Sequence, residues 1–211
     1  MTPSKIDKFF ESLSKARPAP KSELNYVNPY TLLVAVVLSA QMTDVGVNKA
    51  TAPLFKKVKT PKAMLALGEV ELKKYIKSVN LLNNKAKNII GLSQRLVDDF
   101  GGKVPQTREE LESLPGVGRK TANVVLSVAF DIPTIAVDTH VFRVANRTGL
   151  AAGKTPLAVE EGLLKAIPEK WLYNAHHWMI LHGRYVCKAR KPDCPNCVVR
   201  AQCGYKEKVR G

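Results

Sequence analysis

Leu114-Pro-Gly-Val-Gly-Arg-Lys-Thr-Ala122 is the stretch on which the reading of this chain turns. Pro115 with the glycines at 116 and 118 makes a tight turn that neither flanking helix can run through. Ahead of it, Thr107-Arg-Glu-Glu110 has the form of a capping box opening a short helix over residues 107–113. Behind it, from Arg119 onward, the next residues are almost wholly apolar and predict a buried helix. The result is two helices joined by a glycine hairpin, with backbone N–H groups able to point outward together. A phosphate oxygen is the natural acceptor for such a group of donors. An ordinary helix–helix turn would need similar glycines. The flanking Leu114-Pro115, the spacing to Arg119-Lys120 and the charge of the chain favour a hairpin that binds the DNA backbone without reading sequence.

That charge is large: 33 lysines and arginines stand against 18 aspartates and glutamates in 211 residues, a formal +15. Such an excess predicts a polyanionic partner. With 45% hydrophobic residues there is enough material for a core, so disorder is not expected. The N-terminus lacks the apolar stretch of a signal peptide, and the longest apolar run, residues 32–38, is too short to span a bilayer. A soluble, cytoplasmic, DNA-associated protein is the expectation.

Working outward, helical spacing recurs and strand alternation is scarce. Ile89, Leu92 or Ser93, Leu96 and Phe100 share a face, with Ile90 and Val97 beside them. Thr60-Pro61 and Thr155-Pro156 place a capping hydroxyl before a proline suited to the first helical turn, and Gly68, Gly101-Gly102 and Gly149 read as stops. Residues 30–40 and 121–130 are apolar on nearly every side. Without partner strands elsewhere they read as central helices.

Two residues next to these elements carry chemistry. Lys120 sits in the first turn of the apolar helix, beside Arg119 and the positive end of the helix dipole, surroundings that disfavour its ammonium form and favour a nucleophilic amine. A solvated phosphate-binding lysine is the plainer reading. Asp138, in Ile135-Ala-Val-Asp-Thr-His-Val-Phe-Arg143, follows an apolar stretch and precedes a helix, so it reads as an N-cap. A capping carboxylate is held rigid and ionised, which is compatible with catalysis.

All four cysteines fall near the C-terminus, at Cys187, Cys194, Cys197 and Cys203. The spacing C-x6-C-x2-C-x5-C describes one thiolate site, either tetrahedral zinc or an iron–sulfur cluster. Zinc ribbons pair two C-x2-C knuckles, and this tail has one. Residues 184–211 carry eight lysines and arginines against Asp193 and Glu207, so the loop presents cations to phosphates, Lys191 among them. His140, His176, His177 and His182 lack convergent carboxylates and read as structural hydrogen-bonders.

Ala40-Gln-Met-Thr-Asp44, the glycine hairpin through Asn123, Val137-Asp-Thr-His-Val-Phe-Arg143, His182-Gly-Arg184 and the four-cysteine tail together resemble the endonuclease III family of helix-hairpin-helix DNA glycosylases. The resemblance runs over about residues 24–208. It implies an all-α, two-lobed fold: a barrel-like lobe over 22–132 carrying the hairpin, and a cluster lobe of 1–21 plus 133–211. The implied activity is base-excision repair, with oxidised pyrimidines removed from duplex DNA and the strand cut at the abasic site.

In that family the lysine at the position of Lys120 attacks C1′ and forms a Schiff base, and the aspartate at the position of Asp138 activates it or stabilises charge on the sugar. The four cysteines bind a [4Fe-4S] cluster. Gly116, Gly118, Arg119 and Lys191 contact the DNA backbone, and Gln41 and Leu81 fill the hole left by the flipped nucleotide. The implied partner is double-stranded DNA with damaged pyrimidines or abasic sites, bound by a monomer.

Taken alone, Gln41 reads as a helix-end polar residue, Leu81 as a core leucine and Asp44 as a helix cap. Asn80 stands where the family commonly has glycine and Leu82 where it has an aromatic or histidine, the first change being one that could alter the loop backbone. A pyrimidine-dimer glycosylase of the same superfamily, or a non-catalytic DNA-binding iron–sulfur module, are the alternative readings.

Overall fold

The computed structural model describes residues 1–209. Arg210 and Gly211, counted above in the basic tail and in the lobe expected over 133–211, lie outside the described residues. Among the described residues every regular element is a helix. The chain divides into one compact unit of Ser22–Asp131 and another built from Met1–Lys21 with Ile132–Gly211.

The first unit is organised around α2 (Pro29–Ser39), whose residues 30–38 are all buried. An apolar helix with no polar face must be enclosed on all sides. Here α3 (Asp44–Lys57), α5 (Leu82–Phe100) and α7 (Arg119–Phe130) pack against it. Leu32, Leu33 and Leu38 have no exposed surface, each contributing about 1.5–3 kcal/mol by burial. Asn28 caps α2 with its side chain accepting from the Thr31 N–H, and Pro29 occupies the first turn. Deep in this core the Tyr30 hydroxyl meets Ser93 Oγ at 2.6 Å, so both buried polar groups are paired.

The punctuation read from the sequence appears as local geometry. Thr60 caps α4 (Pro61–Tyr75) ahead of a proline in its first turn. Gly68 takes φ 77° and breaks α4 into two pieces. Gly101 closes α5 in the left-handed conformation, and Thr107 caps α6 (Arg108–Glu112) by accepting from the Glu110 N–H. At α3 the cap is Thr43, whose Oγ1 accepts from the Gly46 N–H, and Asp44 is the first helical residue instead of the expected cap. A threonine one position earlier already satisfies that donor.

The second unit joins the N-terminal helix α1 (Pro3–Ala16) to α8 (Thr139–Thr148), α9 (Pro156–Ala166) and α10 (Glu169–Tyr185). Phe9, Phe10 and Leu13 of α1 share a core with Val141, Val144, Trp178 and Met179. Two indole donors fasten the chain start to α10: Trp171 Nε1 to Asp7 Oδ1 at 2.7 Å and Trp178 Nε1 to the Arg17 carbonyl at 2.8 Å. Lys170 pairs with the same aspartate at 2.8 Å, and these bonds hold the Asp7 carboxyl below its usual range. A Cβ at Gly183 would lie 2.8 Å from His140 Cβ, so the glycine of His182-Gly-Arg184 permits the close approach of α8 and α10.

Candidate functional site

The hairpin forms between α6 and α7 as the sequence predicts, and its two glycines do different work. Gly116 has φ 77°, and a Cβ there would fall 2.7 Å from the Asn88 side chain, so the turn itself demands glycine. Gly118 is the residue before α7 with an ordinary extended backbone, and a Cβ there would meet open space. Nothing inside the fold requires glycine at 118. What the missing side chain provides is room for an external group to approach the backbone at the start of α7.

Lys120 is the second residue of α7 and is exposed. The apolar body of the helix does not enclose it. Side chains of an α-helix lean toward its N-terminus, so a residue in the first turn projects past the start of the apolar stretch. The helix-end dipole and the adjoining Arg119 remain its close positive neighbours.

Asp138 caps α8, its Oδ1 accepting from the His140 N–H at 2.9 Å and the Val141 N–H at 2.8 Å. Both bonds fall on one carboxylate oxygen. The other projects from a side chain that is fixed and half-buried. Lys120 belongs to the unit of Ser22–Asp131 and Asp138 to the other.

Gln41 and Leu81 are the surprise of the first unit. Both adopt the left-handed backbone conformation, at φ 57° and φ 58°, which costs a side-chain-bearing residue about 1–2 kcal/mol. Leu81 is 53% exposed, so it is no core leucine; it stands at the start of α5 where a capping polar group would normally sit. Gln41 is exposed just beyond the end of α2.

Lys85, 4% exposed, reaches from α5 to the end of α2, donating to the carbonyls of Leu38 and Ala40. Burial lowers its pKa, and the C-terminal end of the α2 dipole is the favourable place for its charge. Asn80 then links the two turns, its Nδ2 donating to the Gln41 carbonyl at 2.9 Å. The positive φ lies at Leu81 and not at Asn80, so asparagine in place of glycine leaves the loop backbone unstrained at position 80.

All four cysteines are free thiols lining one cavity with Val186, Pro192, Val199 and Tyr205. Among the described residues no three His, Cys, Asp or Glu side chains converge to hold a single ion. The four sulfurs converge on one cavity, a donor set that fits a thiolate-bound metal centre. Burial, aided by the three neighbouring cysteines, pushes the Cys197 thiol up to about 11.

Around the sulfurs stand polar groups of which the sequence reading singled out only His182, as a structural hydrogen-bonder. Arg147 on α8 directs Nη1 toward Cys187 Sγ at 3.7 Å and to the Lys188 carbonyl at 2.6 Å, while Nη2 reaches the Ala189 carbonyl at 3.0 Å. Its guanidinium lies 4.9 Å from the centre of the Tyr205 ring. One turn earlier, Arg143 donates to the carbonyls of Cys187 at 2.9 Å and Gly183 at 2.8 Å. The Tyr205 N–H points to Cys203 Sγ at 3.4 Å, and His182 Nε2 lies 3.6 Å from Cys197 Sγ. Burial, with Arg17 nearby, lowers the pKa of His182 to about 4, so this imidazole is neutral at pH 7. Lys191, exposed at φ 50°, stands at the tip of the loop between the first two cysteines. The signal for the two arginines was available: they sit four apart on a helix whose other face is apolar.

These elements define a class. Residues 34–169 match the model of the HhH-GPD superfamily of base excision DNA repair proteins. The chain is 60% identical over 200 residues to endonuclease III of Rickettsia conorii, covering 95% of each, and 56% identical over 197 residues to that of Escherichia coli, covering 93% of each. Among solved structures it superposes with a TM-score of 0.90 on an endonuclease III trapped as a covalent intermediate with DNA, at 48% identity over 97% of this chain and 96% of the other. A thermostable thymine-DNA glycosylase matches with a TM-score of 0.84 at 25% identity, covering 97% and 95%.

The chain belongs to the endonuclease III family. It is a bifunctional DNA glycosylase, and its family and four C-terminal cysteines are consistent with an iron–sulfur cluster. No helix among the described residues is long and apolar enough to cross a membrane.

Proposed function

We propose that this chain removes oxidised pyrimidines from duplex DNA and then cuts the strand at the resulting abasic site, with Lys120 as the nucleophile. The observation that carries the reading is an exposed primary amine two residues after the open space at Gly118, on the first turn of α7. Backbone donors at Gly116 and Gly118, with Arg119 and Lys191, hold phosphates, while the amine reaches the sugar between them.

Lys120 Nζ bonds to C1′ as the C1′–N bond breaks, and the base leaves with the electron pair and takes up a proton. The sugar ring opens to an iminium. Loss of a C2′ proton expels the 3′ phosphate, and water then releases the enzyme from the cleaved strand. Asp138 stabilises the positive charge that builds on the sugar as the base departs. Gln41 and Leu81 occupy the gap that the extruded nucleotide leaves in the stack. The enzyme acts as a monomer on damaged DNA in the cytoplasm.

A panel of duplexes, each with one lesion, tests this by scoring base release and nicking separately. Release from thymine glycol and nicking at an abasic site are expected, with a cyclobutane pyrimidine dimer left intact. Release from the dimer but not from thymine glycol would make this a pyrimidine-dimer glycosylase. Failure of both release and nicking would leave a DNA-binding module.

Cys187, Cys194, Cys197 and Cys203 would hold a [4Fe-4S] cluster, which supplies a rigid covalent anchor for the basic loop around Lys191. Arg147 and the Tyr205 N–H direct donors at two of the sulfurs, stabilising them as thiolates, and His182 Nε2 lies beside a third. Anaerobic preparations should be brown, with broad visible absorption and about four irons per chain. A colourless protein with about one zinc would overturn the assignment.

A further inference from the structure

We infer that Asn80 is a positioning residue that locks the Gln41 turn to the Leu81 turn, so that the two act as a single rigid wedge. This rests on the reading of Gln41 and Leu81 as the residues that fill the emptied stack.

The two turns come from distant parts of the sequence, and each displays its tip residue in a left-handed conformation that L side chains rarely adopt. Such conformations persist only where the surroundings enforce them. For Gln41 the enforcement comes from the other turn. Asn80 Nδ2 donates to the Gln41 carbonyl at 2.9 Å, and the Asn80 N–H points to Met42 Sδ at 3.4 Å. Asn80 thus grips the residue at the tip and the one after it, while Lys85 of the following helix closes the carbonyls of Leu38 and Ala40 just before it.

Position 80 has no positive φ, so the backbone places no demand for glycine there, and a glycine would lack the amide that makes the link. Asn80 is exposed and touches neither Lys120 nor Asp138 in sequence or hydrogen bonding. Its removal therefore leaves the fold and the chemistry in place and frees the two tips to move independently. Misplacement of a wedge by a fraction of an ångström is felt only where a stack must be opened.

The test uses the full-length holoenzyme and two substrates: a duplex with one thymine glycol, and a single-stranded oligonucleotide with one abasic site. Asn80→Ala is expected to slow single-turnover base release from the duplex roughly tenfold. Borohydride trapping on the single strand and the thermal midpoint should stay at the wild-type value. In a Gln41→Ala background the same substitution should cost less than about twofold, because the side chain it positions is gone.

Asn80→Gly should behave as Asn80→Ala does, and Asn80→Asp, which sets a carboxylate against the Gln41 carbonyl, should be no better. Wild-type duplex rates in Asn80→Ala and Asn80→Asp would overturn the link while leaving the wedge, provided Gln41→Ala and Leu81→Ala are slow. Wild-type rates in both of those variants would remove the wedge reading and the link with it. An equal loss on duplex and single strand would assign Asn80 a merely structural part and overturn the inference.

Discussion

Lys120→Gln abolishes the borohydride-trappable complex with abasic DNA and lowers strand cleavage by roughly a thousandfold or more, the scale seen when a covalent nucleophile is removed. The substitution is otherwise mild. Lys120 is exposed in the first turn of α7, where a cation opposes the helix dipole, so a neutral side chain of similar length costs the fold nothing and stabilises it by about 0.3–1 kcal/mol. Binding to abasic DNA loses at most one phosphate contact, so the slope of log K against log salt falls by about 0.9 or less. Trapping measured beside binding separates these effects. The other amine of interest, the N-terminus, donates to the Gly149 carbonyl at 3.1 Å. Undiminished trapping in Lys120→Gln would sink the assignment and direct attention to that group.

The parts of this molecule legible in its sequence are those fixed by a few adjacent residues. Thr60-Pro61 and Thr155-Pro156 open helices because a hydroxyl and a proline satisfy a helix start without outside help. Residues 30–40 read as a buried helix because the stretch is apolar on nearly every side and no partner strands appear elsewhere. The glycine hairpin was legible for the same reason.

What stayed hidden depends on long-range pairing. Nothing local says that Lys85 would be drawn into the interior, because the acceptors that make its burial tolerable are carbonyls at the end of a helix more than forty positions earlier. Leu81 looked like core because leucine usually is, and its exposure follows from a left-handed turn that no propensity favours. The exposure of Lys120 follows from the direction in which first-turn side chains lean, which its apolar sequence neighbours do not reveal. The part played by Arg143 and Arg147 is set by carbonyls of the cysteine loop some forty positions later.

Asp138→Asn separates a structural role from a chemical one at a single position. Asparagine caps a helix as well as aspartate, and its amide oxygen can take the bonds that Oδ1 now accepts from the His140 and Val141 N–H groups. What is lost is the charge, worth about 0.3–1 kcal/mol to a helix start, so the thermal midpoint should fall by only a few degrees. Base release from a thymine glycol duplex should fall by about 10²–10³ at saturating substrate, because the role proposed for the carboxylate is to stabilise the sugar that becomes cationic as the base departs. Nicking of a preformed abasic site, which needs no base to leave, should suffer much less. Asp138→Ala completes the comparison: it loses the cap as well, costing about 0.5–2 kcal/mol, while its base-release defect should match that of Asp138→Asn. Full base-release activity in Asp138→Asn would reduce the residue to a helix cap. A defect in Asp138→Ala alone would trace the effect to the fold, since only that variant removes the acceptor on which α8 begins.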